Sequence, residues 1–459
     1  MIPLESVSSD TLNALLFYTA CLGILLLIGV IIRIKIKAFK KFVIPASLIA
    51  GIIGLILGPD VIGLIPVEMM DTWSGYSGIL ISIVFAPMLI GIEVNIKRFK
   101  ETQAVSQLIY GWTISFLQWG IPLILMGILF TPVFGVNPLF GTLTEIGWSG
   151  GHGTAGGMVD AFEQLNWSEG GSLGLTIATI GLIVGIVAGT IIINYGIRKG
   201  YTNYMTIEDT KKKEENPDII PKIKQTFSSK GTIRSEIIDG YAFHLAIIST
   251  SIFIGWFLKE IIDIYIPGMP LFPLAMIGGF VVGIVLKQTS FFEAINTETF
   301  TRIQGFALDF LVASAVAAIS IPVVIDYFVP LLIMSIIILI TMILYFFYIG
   351  PRLFAKDWFE HSVIQFGTAT GVAAIGYMLL RMVDPKLESD AFIAYGLRAP
   401  FSSPFSGGGL VTASVPILTI SYGALSVGTA SIVLAILIFI FAKIMGIYGK
   451  HNNTYFLNR

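Results

Sequence analysis

The sequence predicts an all-α integral membrane protein with two inverted-topology repeats of five transmembrane helices, each with a re-entrant hairpin, plus one extra C-terminal helix. Of its 459 residues, 55% are hydrophobic and only 12% are charged, about half the charge of a typical soluble domain. A helix needs roughly 20 residues to cross a bilayer. Stretches of that length or more without Asp, Glu, Lys or Arg include 11–32, 72–92, 102–144, 170–197, 327–351 and 399–442. Burial of this much apolar surface requires the lipid bilayer as a partner.

Composition also excludes several classes of partner and site. There is no basic tract with interleaved aromatic residues, so a nucleic acid partner is not expected. Cys21 is the sole cysteine and lies in the first apolar stretch, which excludes internal disulfides and Cys-rich metal sites. Residues 1–10 lack the basic segment of a signal peptide, and the apolar stretch that follows is too long for one. We therefore expect the first helix to be retained. No cofactor is expected.

The basic residues predict the topology of the first half, because Lys and Arg concentrate in cytoplasmic loops. Five of them lie between Arg33 and Lys41, which places the N-terminus outside. No Lys or Arg occurs from Glu101 to Ile197, so the glycine-rich stretch at about 139–167 begins and ends at the outer face. We interpret it as a re-entrant hairpin, with an ordinary loop as the alternative. The predicted spans are about 11–32, 42–58, 77–94, 105–130 and 173–195.

The second half repeats this order from the opposite face. A second short stretch at about 360–380 contains Gly and Thr and has basic neighbours, Lys356 and Arg381, as expected of a hairpin entering from the cytoplasm. The other predicted elements are spans at about 242–262, 271–286, 303–325 and 330–350, a broken span at 391–417 and a last span at 424–446. The predicted domains are a first repeat (1–198), a cytoplasmic linker (199–240), a second repeat (241–420) and an extra C-terminal helix with a cytoplasmic tail (421–459). Inverted repeats with broken elements are typical of secondary transporters.

The most distinctive local motif is WSGGHGTAGG, from Trp148 to Gly157, with five glycines in its last eight residues. Glycine lets the backbone approach a ligand closely, and a helix that starts after such a turn favours a carboxylate at its N-terminus. The alternative is close helix packing through small residues. Gly181, Gly185 and Gly189 in the fifth span are predicted to serve such packing.

This motif carries a resemblance to a known family. SGGHGT (149–154), after the GTLT of 141–144, resembles the first hairpin of the sodium/glutamate symporter family. Three further segments are similar to it: FVIPASLIAG (42–51), FAPMLIGIEVNI (85–96) and LDFLVASAVAAISI (308–321). The resemblance implies inverted five-helix repeats whose hairpins meet at the substrate site, sodium-driven glutamate uptake and a homodimer. The sequence departs from the family at Ala46, where the family has an acidic residue, in the proline-free second hairpin and at Arg398.

Candidate site residues follow from their chemistry. The candidates for binding substrate are Ser149, Gly150, Gly151, His152, Gly153, Thr154, Thr368, Thr370 and Arg398. The candidates for binding the coupling ion, expected to be Na⁺, are Asp309, Thr368 and Glu93. Na⁺ prefers oxygen ligands, and an ionisable residue inside a span is often functional. Arg398 suits a bidentate carboxylate, with an arginine that reaches the membrane surface as the alternative.

Other interpretations of these residues stay open. His152 equally fits a histidine that holds the hairpin by hydrogen bonds, and each Thr fits a packing role. Glu145, Asp160 and Glu163 flank the first hairpin and are expected in a solvated outer vestibule.

The function predicted from these features is secondary active transport. The expected activity is sodium-coupled symport of glutamate or a related small carboxylate by alternating access, in the plasma or inner cell membrane. The alternatives are a proton-coupled or sodium-coupled carrier of another di- or hydroxycarboxylate and, more distantly, a passive anion channel. An enzyme is not expected, because the four histidines (His152, His244, His361 and His451) are scattered and no nucleophile–base cluster accompanies them.

Overall fold

A computed structural model describes residues 6–36, 39, 44–91, 99, 102–205, 231–265 and 268–448. Over these residues the chain is helical and contains no strand. Its α-helices of six or more residues are α1 (Ser9–Lys35), α2 (Ala46–Leu57), α3 (Val67–Phe85), α4 (Ala104–Leu125), α5 (Gly151–Gly157), α6 (Val159–Gln164), α7 (Gly170–Lys199), α8 (Gly240–Asp263), α9 (Leu271–Lys287), α10 (Thr297–Ala317), α11 (Ile321–Asp326), α12 (Phe328–Leu353), α13 (Trp358–Val383), α14 (Ala391–Ser402), α15 (Leu410–Tyr422) and α16 (Ala424–Ile444).

Nine helical segments within the described ranges are long and apolar enough to cross a membrane. They are Ser9–Lys35, Val67–Leu89, Ala104–Phe134, Gly170–Lys199, Gly240–Asp263, Thr297–Ala317, Phe328–Leu353, Trp358–Val383 and Ala424–Ile444. Helices α2, α9 and α15 are apolar but shorter. The predicted class, an all-α integral membrane protein, is confirmed. The segment predicted as a single span at 303–325 is instead divided into α10 and α11, because Pro322 has no N–H to continue a helix and is tolerated in a first turn, where it stands in α11.

The chain forms two compact units. Unit 1 contains residues 1–92, 152–175 and 216–325, and unit 2 contains residues 93–151, 176–215 and 326–459. Each unit therefore draws segments from both predicted repeats. The predicted domain boundaries along the chain stay a prediction.

Small residues bring the helices of unit 1 into close contact. Gly51 and Gly54 of α2 face Val316 and Ala317 of α10, and a Cβ on Gly54 would lie 2.8 Å from the Ala317 side chain. Trp73 of α3 is completely buried and donates a hydrogen bond to a carbonyl oxygen of α1 at 3.1 Å. Close backbone approach through small residues is the usual basis of helix association in membranes.

The closest approach in unit 1 yields a stability prediction. A Cβ on Gly279 of α9 would overlap the carbonyl oxygen of Ala86, which is backbone and cannot move away cheaply. Gly279→Ala should destabilise the protein by about 3 kcal/mol, as overpacking does. The measurement is the melting temperature of purified protein in detergent. Gly75→Ala is the control, because Gly75 has no neighbour within 4 Å and alanine favours a helix by up to about 1 kcal/mol. Equal melting temperatures for the two variants would contradict this packing.

Unit 2 is also packed through glycines. Gly120 of α4 contacts Ile432 of α16, and a Cβ there would lie 2.6 Å from the Ile432 side chain. Along α7, Gly181 faces Trp148 and the carbonyl of Thr370, Gly185 faces the Thr370 side chain, and Gly189 faces Leu379. These contacts confirm the packing role predicted for Gly181, Gly185 and Gly189.

Helix α13 is bent back on itself. Its backbone leaves the helical conformation at Gly371 and Val372, and a Cβ on Gly367 would lie 2.7 Å from the Cα of Gly376. In a straight helix those two glycines would be about 13.5 Å apart, at 1.5 Å per residue. The segment therefore forms two helical arms joined by a tight turn. The broken span is visible too: α14 ends at Ser402 and α15 begins at Leu410.

Candidate functional site

The first glycine-rich motif lies at a turn between short helical pieces. A 3₁₀ turn at Pro138–Thr142 and a π-helical turn at Glu145–Ser149 lead to it. Gly151 has a φ of +70°, a left-handed conformation that favours glycine, and α5 starts there. The division between the two units falls directly after Gly151.

Within unit 1, the later glycines of the motif serve packing. A Cβ on Gly153 would lie 3.0 Å from Ile81, and one on Gly156 would lie 2.6 Å from Ser77. The Ser77 hydroxyl donates to the carbonyl oxygen of Gly156 at 3.1 Å. His152 and Thr154 are buried. For this part of the motif the packing interpretation has direct geometric support, and a role of Gly153 or Thr154 in binding substrate stays a prediction.

Within unit 2, Gln118 connects the first motif to the bent helix α13. The Ser149 hydroxyl donates to Gln118 Oε1 at 2.6 Å, and Gln118 Nε2 donates to the carbonyl oxygen of Ala369 at 2.7 Å. At the adjacent turn, a Cβ on Gly151 would overlap Cγ1 of Val372. One buried amide of α4 therefore fixes residues of both predicted hairpins.

The two threonines of the second hairpin use their hydroxyls differently. Thr370 is completely buried and donates to the carbonyl oxygen of Phe366 at 2.8 Å, as a packing residue would. Thr368 is partly exposed and bonds both its own helix and the Tyr395 hydroxyl, the latter at 3.1 Å. Thr368 is thus the better placed of the two to meet a ligand.

Arg398 of α14 is a buried cation. Only 7% of its surface is exposed, and its guanidinium carbon lies 4.4 Å from the centre of the Tyr395 ring. Within the described ranges Arg398 has no ion pair, and its Nε has no hydrogen-bond acceptor. A Cβ on Gly111 would lie 2.5 Å from Nη1 of Arg398, so α4 borders the guanidinium closely. The group is enclosed by protein rather than extended to a surface.

Beside Arg398, amide side chains of α4 and α13 form a hydrogen-bonded row. Gln365 Nε2 donates to the Gln107 side-chain oxygen, and Gln107 Nε2 lies 2.6 Å from Nδ1 of His361. His361 Nε2 in turn lies 2.7 Å from a carboxylate oxygen of Asp390. This row, Asp390–His361–Gln107–Gln365, ends next to Arg398, because the same Cβ on Gly111 would lie 3.4 Å from Gln365 Nε2.

The environment of Glu145 corrects an expectation. We expected Glu145, like Asp160 and Glu163, in a solvated vestibule. Asp160 and Glu163 are exposed, but Glu145 is completely buried. Its Oε1 accepts hydrogen bonds from the Gly407 amide at 2.7 Å and the Thr412 hydroxyl at 3.2 Å. The π-helical turn directs this carboxyl into the protein, where it holds the break between α14 and α15.

Of the two acidic candidates for binding the ion, the structure describes Asp309 but not Glu93. Asp309 lies within α10 and is exposed, and its carboxylate has no bond to any residue that the structure describes. Glu93 lies outside the described residues. Both assignments stay predictions.

Gln107 and Gln118 were not predicted as functional residues, although their spacing in the sequence is a signal for such a role. Gln107, Gly111 and Gln118 are separated by four and seven residues within the charge-free stretch 102–144. That spacing puts them on one face of a helix, and side chains such as glutamine hydrogen-bond across helices in a membrane. Asp390 and His361 gave no comparable signal, because they are brought together from distant positions in the chain.

A sequence profile described as Sodium/glutamate symporter matches residues 11–376. The chain belongs to the sodium/glutamate symporter family. The matched region includes the first motif, all of α4 and the turn of α13, so the resemblance noted in SGGHGT is confirmed. Helices α14, α15 and α16 lie beyond the region that the family profile matches, and Asp390 and Arg398 lie there with them. A search of the curated proteins found no match.

Proposed function

We propose that this member of the sodium/glutamate symporter family is a sodium-coupled carrier of glutamate or a closely related small carboxylate, and not an enzyme. Membership of a transporter family supports transport in general. The observation that carries the substrate class is Arg398, a cation enclosed by protein and without an acidic partner among the described residues. Burial of an uncompensated charge costs several kcal/mol, and a bound carboxylate would offset that cost.

The surroundings of Arg398 suit a carboxylate ligand. A guanidinium offers a planar fork that binds a carboxylate through two parallel hydrogen bonds, and Nε is one of the nitrogens still without an acceptor. The Tyr395 ring supports the guanidinium from one side, while the hydroxyls of Tyr395 and Thr368 offer neutral polar contacts nearby. The proposed substrate site therefore centres on Arg398 and Thr368, with Ser149, Gly150 and Gly151 from the first motif, and a role of His152 in binding substrate stays a prediction.

The proposed architecture is two inverted repeats, 1–198 and 241–420, joined by the linker 199–240 and followed by an extra helix. It is supported by the way each compact unit combines segments from both halves of the chain. It is supported as well by the bent helix α13, which has the shape of a hairpin. In the proposal both hairpins are re-entrant, the N-terminus is outside and the C-terminus cytoplasmic. Inversion of the repeats is what gives such carriers alternating access.

For the coupling ion we propose Na⁺, which the family description supports. Asp309 is the first candidate ligand, because an exposed carboxylate in the middle of α10 requires a polar environment in a membrane. Thr368 and Glu93 are the other candidates. We also propose that the protein acts as a homodimer, as the family resemblance implies.

The experiment that tests this function is uptake of labelled glutamate into proteoliposomes of the full chain. An inward sodium gradient should drive accumulation above equilibrium, and equal sodium on both sides should not. Accumulation driven by a proton gradient in the absence of sodium would indicate the proton-coupled alternative. Glutamate flux that reaches equilibrium without accumulation would indicate a channel. Protein-free liposomes are the control. Equal uptake with and without the gradient would exclude sodium symport. If glutamate is not taken up but another dicarboxylate is transported, that dicarboxylate replaces glutamate as the proposed substrate.

A further inference from the structure

The side-chain amide of Gln118 has one possible orientation in unit 2. The residue is buried, and one end of its amide lies 2.7 Å from the carbonyl oxygen of Ala369. A carbonyl oxygen can only accept a hydrogen bond, so this end is Nε2, which donates. The opposite orientation would place two acceptor oxygens against each other. Gln118 Oε1 therefore faces the hydroxyl of Ser149, 2.6 Å away.

This orientation determines what Ser149 can offer to a ligand. A hydroxyl has one hydrogen and two lone pairs. Because Oε1 of Gln118 is only an acceptor, Ser149 directs its hydrogen to Gln118. The other group near the hydroxyl among the described residues is the Ala369 carbonyl oxygen, at 3.5 Å, which is also an acceptor. The Ser149 hydroxyl therefore has lone pairs for a ligand but no hydrogen left to donate.

Ala369 brings a second oxygen to the same place. The backbone of α13 leaves the helical conformation at Gly371 and Val372, so Ala369 belongs to the last turn of the first arm. The last carbonyls of a helix lack an intrahelical partner, and this end carries the negative end of the helix dipole. A carbonyl oxygen has two lone pairs, of which Gln118 uses one. The Ser149 hydroxyl and the Ala369 carbonyl are thus two electron-rich oxygens 3.5 Å apart.

The chemistry of these two oxygens favours a cation. A carboxylate has only acceptor oxygens, which the lone pairs of Ser149 would repel. A cation is attracted by both oxygens and by the end of the helix, and Na⁺ prefers oxygen ligands. Backbone carbonyls at the ends of broken helices coordinate Na⁺ in carriers with inverted repeats. Ser149 can therefore contribute to a carboxylate site only through a cation that lies between the two.

We propose that unit 2 contains a sodium site formed by the Ser149 hydroxyl and the carbonyl oxygen of Ala369. Gln118 is its positioning residue, because it keeps the Ser149 hydrogen turned away from the ion. The inference rests on the proposed sodium-coupled function and adds a site to Asp309, which belongs to unit 1. Na⁺ at Ser149 supplies the positive charge that a carboxylate needs there. Sodium and substrate should therefore strengthen each other's binding, since linkage is reciprocal.

The test measures sodium binding to the full-length protein in detergent without substrate. The melting temperature is followed as sodium chloride replaces choline chloride at constant ionic strength, and its rise gives the dissociation constant for sodium. Sodium should stabilise the wild type. Ser149→Ala should raise the dissociation constant by about tenfold or more, as changes around a bound metal ion do.

Ser414→Ala is the matched control for Ser149→Ala. Ser414 is a partly buried serine of the same unit, and its hydroxyl donates to the carbonyl oxygen of Leu410 in its own helix at 2.7 Å. The substitution removes the same hydroxyl group without touching the proposed site. Its dissociation constant for sodium should equal that of the wild type.

Two further variants keep the proposal testable if Ser149→Ala does not fold. Gln118→Met has a similar length but frees the Ser149 hydrogen to turn to the Ala369 carbonyl, so that the two oxygens would bond each other. It should weaken sodium binding by about tenfold or more. Ser149→Thr keeps the hydroxyl and should retain sodium affinity. Each rise is measured from the variant's own melting temperature without sodium, so a general loss of stability does not imitate loss of the site.

Three results would overturn the sodium site. The first is a wild type that sodium does not stabilise, and the second is an equal sodium affinity in the wild type, Ser149→Ala and Gln118→Met. The third is a Ser149→Ala variant that loses affinity for glutamate but not for sodium or for glutarate, which lacks the amino group. That result would assign the Ser149 lone pairs to the substrate ammonium. If sodium binds as expected and glutamate does not bind in its presence, the proposed substrate fails while the sodium site stands.

Discussion

Arg398→Gln is expected to weaken glutamate binding by about 100-fold or more. Loss of one partner from a buried charge pair costs about 3 to 5 kcal/mol, and each 1.4 kcal/mol is a factor of ten in affinity. Glutamine keeps a polar side chain of similar reach but has no charge. Arg398→Lys should be intermediate, because lysine keeps the charge and loses the planar fork. The measurement is the glutamate dissociation constant of purified protein, together with uptake into proteoliposomes.

The stability of the same variant separates a lost site from a misfolded protein. Without substrate, Arg398 is a buried charge that lacks an ionic partner among the described residues, so its neutralisation should raise the melting temperature of the substrate-free protein. Glutamate at 100 times the wild-type dissociation constant should stabilise the wild type by about 2.7 kcal/mol and the variant by less than about 0.5 kcal/mol.

The control for Arg398 is a second arginine in the same unit. Arg352 also stacks on a tyrosine, with its guanidinium carbon 3.9 Å from the Tyr348 ring centre, and it donates to the Tyr348 carbonyl oxygen at 2.6 Å. Arg352→Gln removes the same stacking interaction from a partly exposed position, and glutamate affinity should be unchanged. An unchanged affinity in Arg398→Gln as well would remove Arg398 from the substrate site.

Gly151→Ala should abolish glutamate uptake while the protein is still produced and inserted. A left-handed conformation costs a non-glycine residue about 1 to 2 kcal/mol, and the new methyl group would overlap Val372 at the turn of α13. Both turns would be displaced by the same substitution. Uptake into proteoliposomes, normalised to the amount of folded protein, measures the effect.

Two further variants separate backbone strain from the contact with Val372. Gly135 also has a left-handed conformation, with a φ of +66°, but no neighbour within 4 Å, so Gly135→Ala should retain uptake. Val372 has a φ of 61° and a ψ of 175°, a region that is essentially reserved for glycine. Adding Val372→Gly to Gly151→Ala removes the overlap and the backbone strain at position 372, but not the left-handed strain at position 151, and should restore part of the activity. Full uptake by Gly151→Ala alone would show that close contact of the turns is not required.

The sequence was sufficient to predict most of the helices, because a bilayer forces every backbone group to be satisfied within the segment. The charge-free stretch 170–197 corresponds to α7, and the stretch 11–32 lies within α1. Prediction failed at helix starts. Helix α3 begins at Val67, well before the predicted start at 77, because its first turn includes Glu68, and an acidic residue is favourable at a helix N-terminus.

The site was less predictable for a physical reason. Arg398 and Thr368 were named as candidates from their chemistry, but the surroundings of such side chains depend on contacts between distant segments. Glu145 illustrates the difficulty: its charge suggested solvent, and only the π-helical turn and the Gly407 amide account for its burial. The amides Gln107 and Gln118 acquire a role only when α13 lies beside them.

Because the chain is synthesised from its N-terminus, Gln107 and Gln118 of α4 are made long before their partners in α13. Gln118 finds its partner Ala369 at a separation of 251 residues, and Gln107 bonds His361 at a separation of 254. At about 5 to 20 residues per second, that distance takes roughly 10 to 50 s to translate. During that interval α4 has already left the ribosome, while Ala369 and His361, whose carbonyl oxygens accept from its two side-chain amides, do not yet exist. A chain truncated before α13 would therefore leave the side-chain N–H groups of both glutamines without these acceptors, which is costly in an apolar environment.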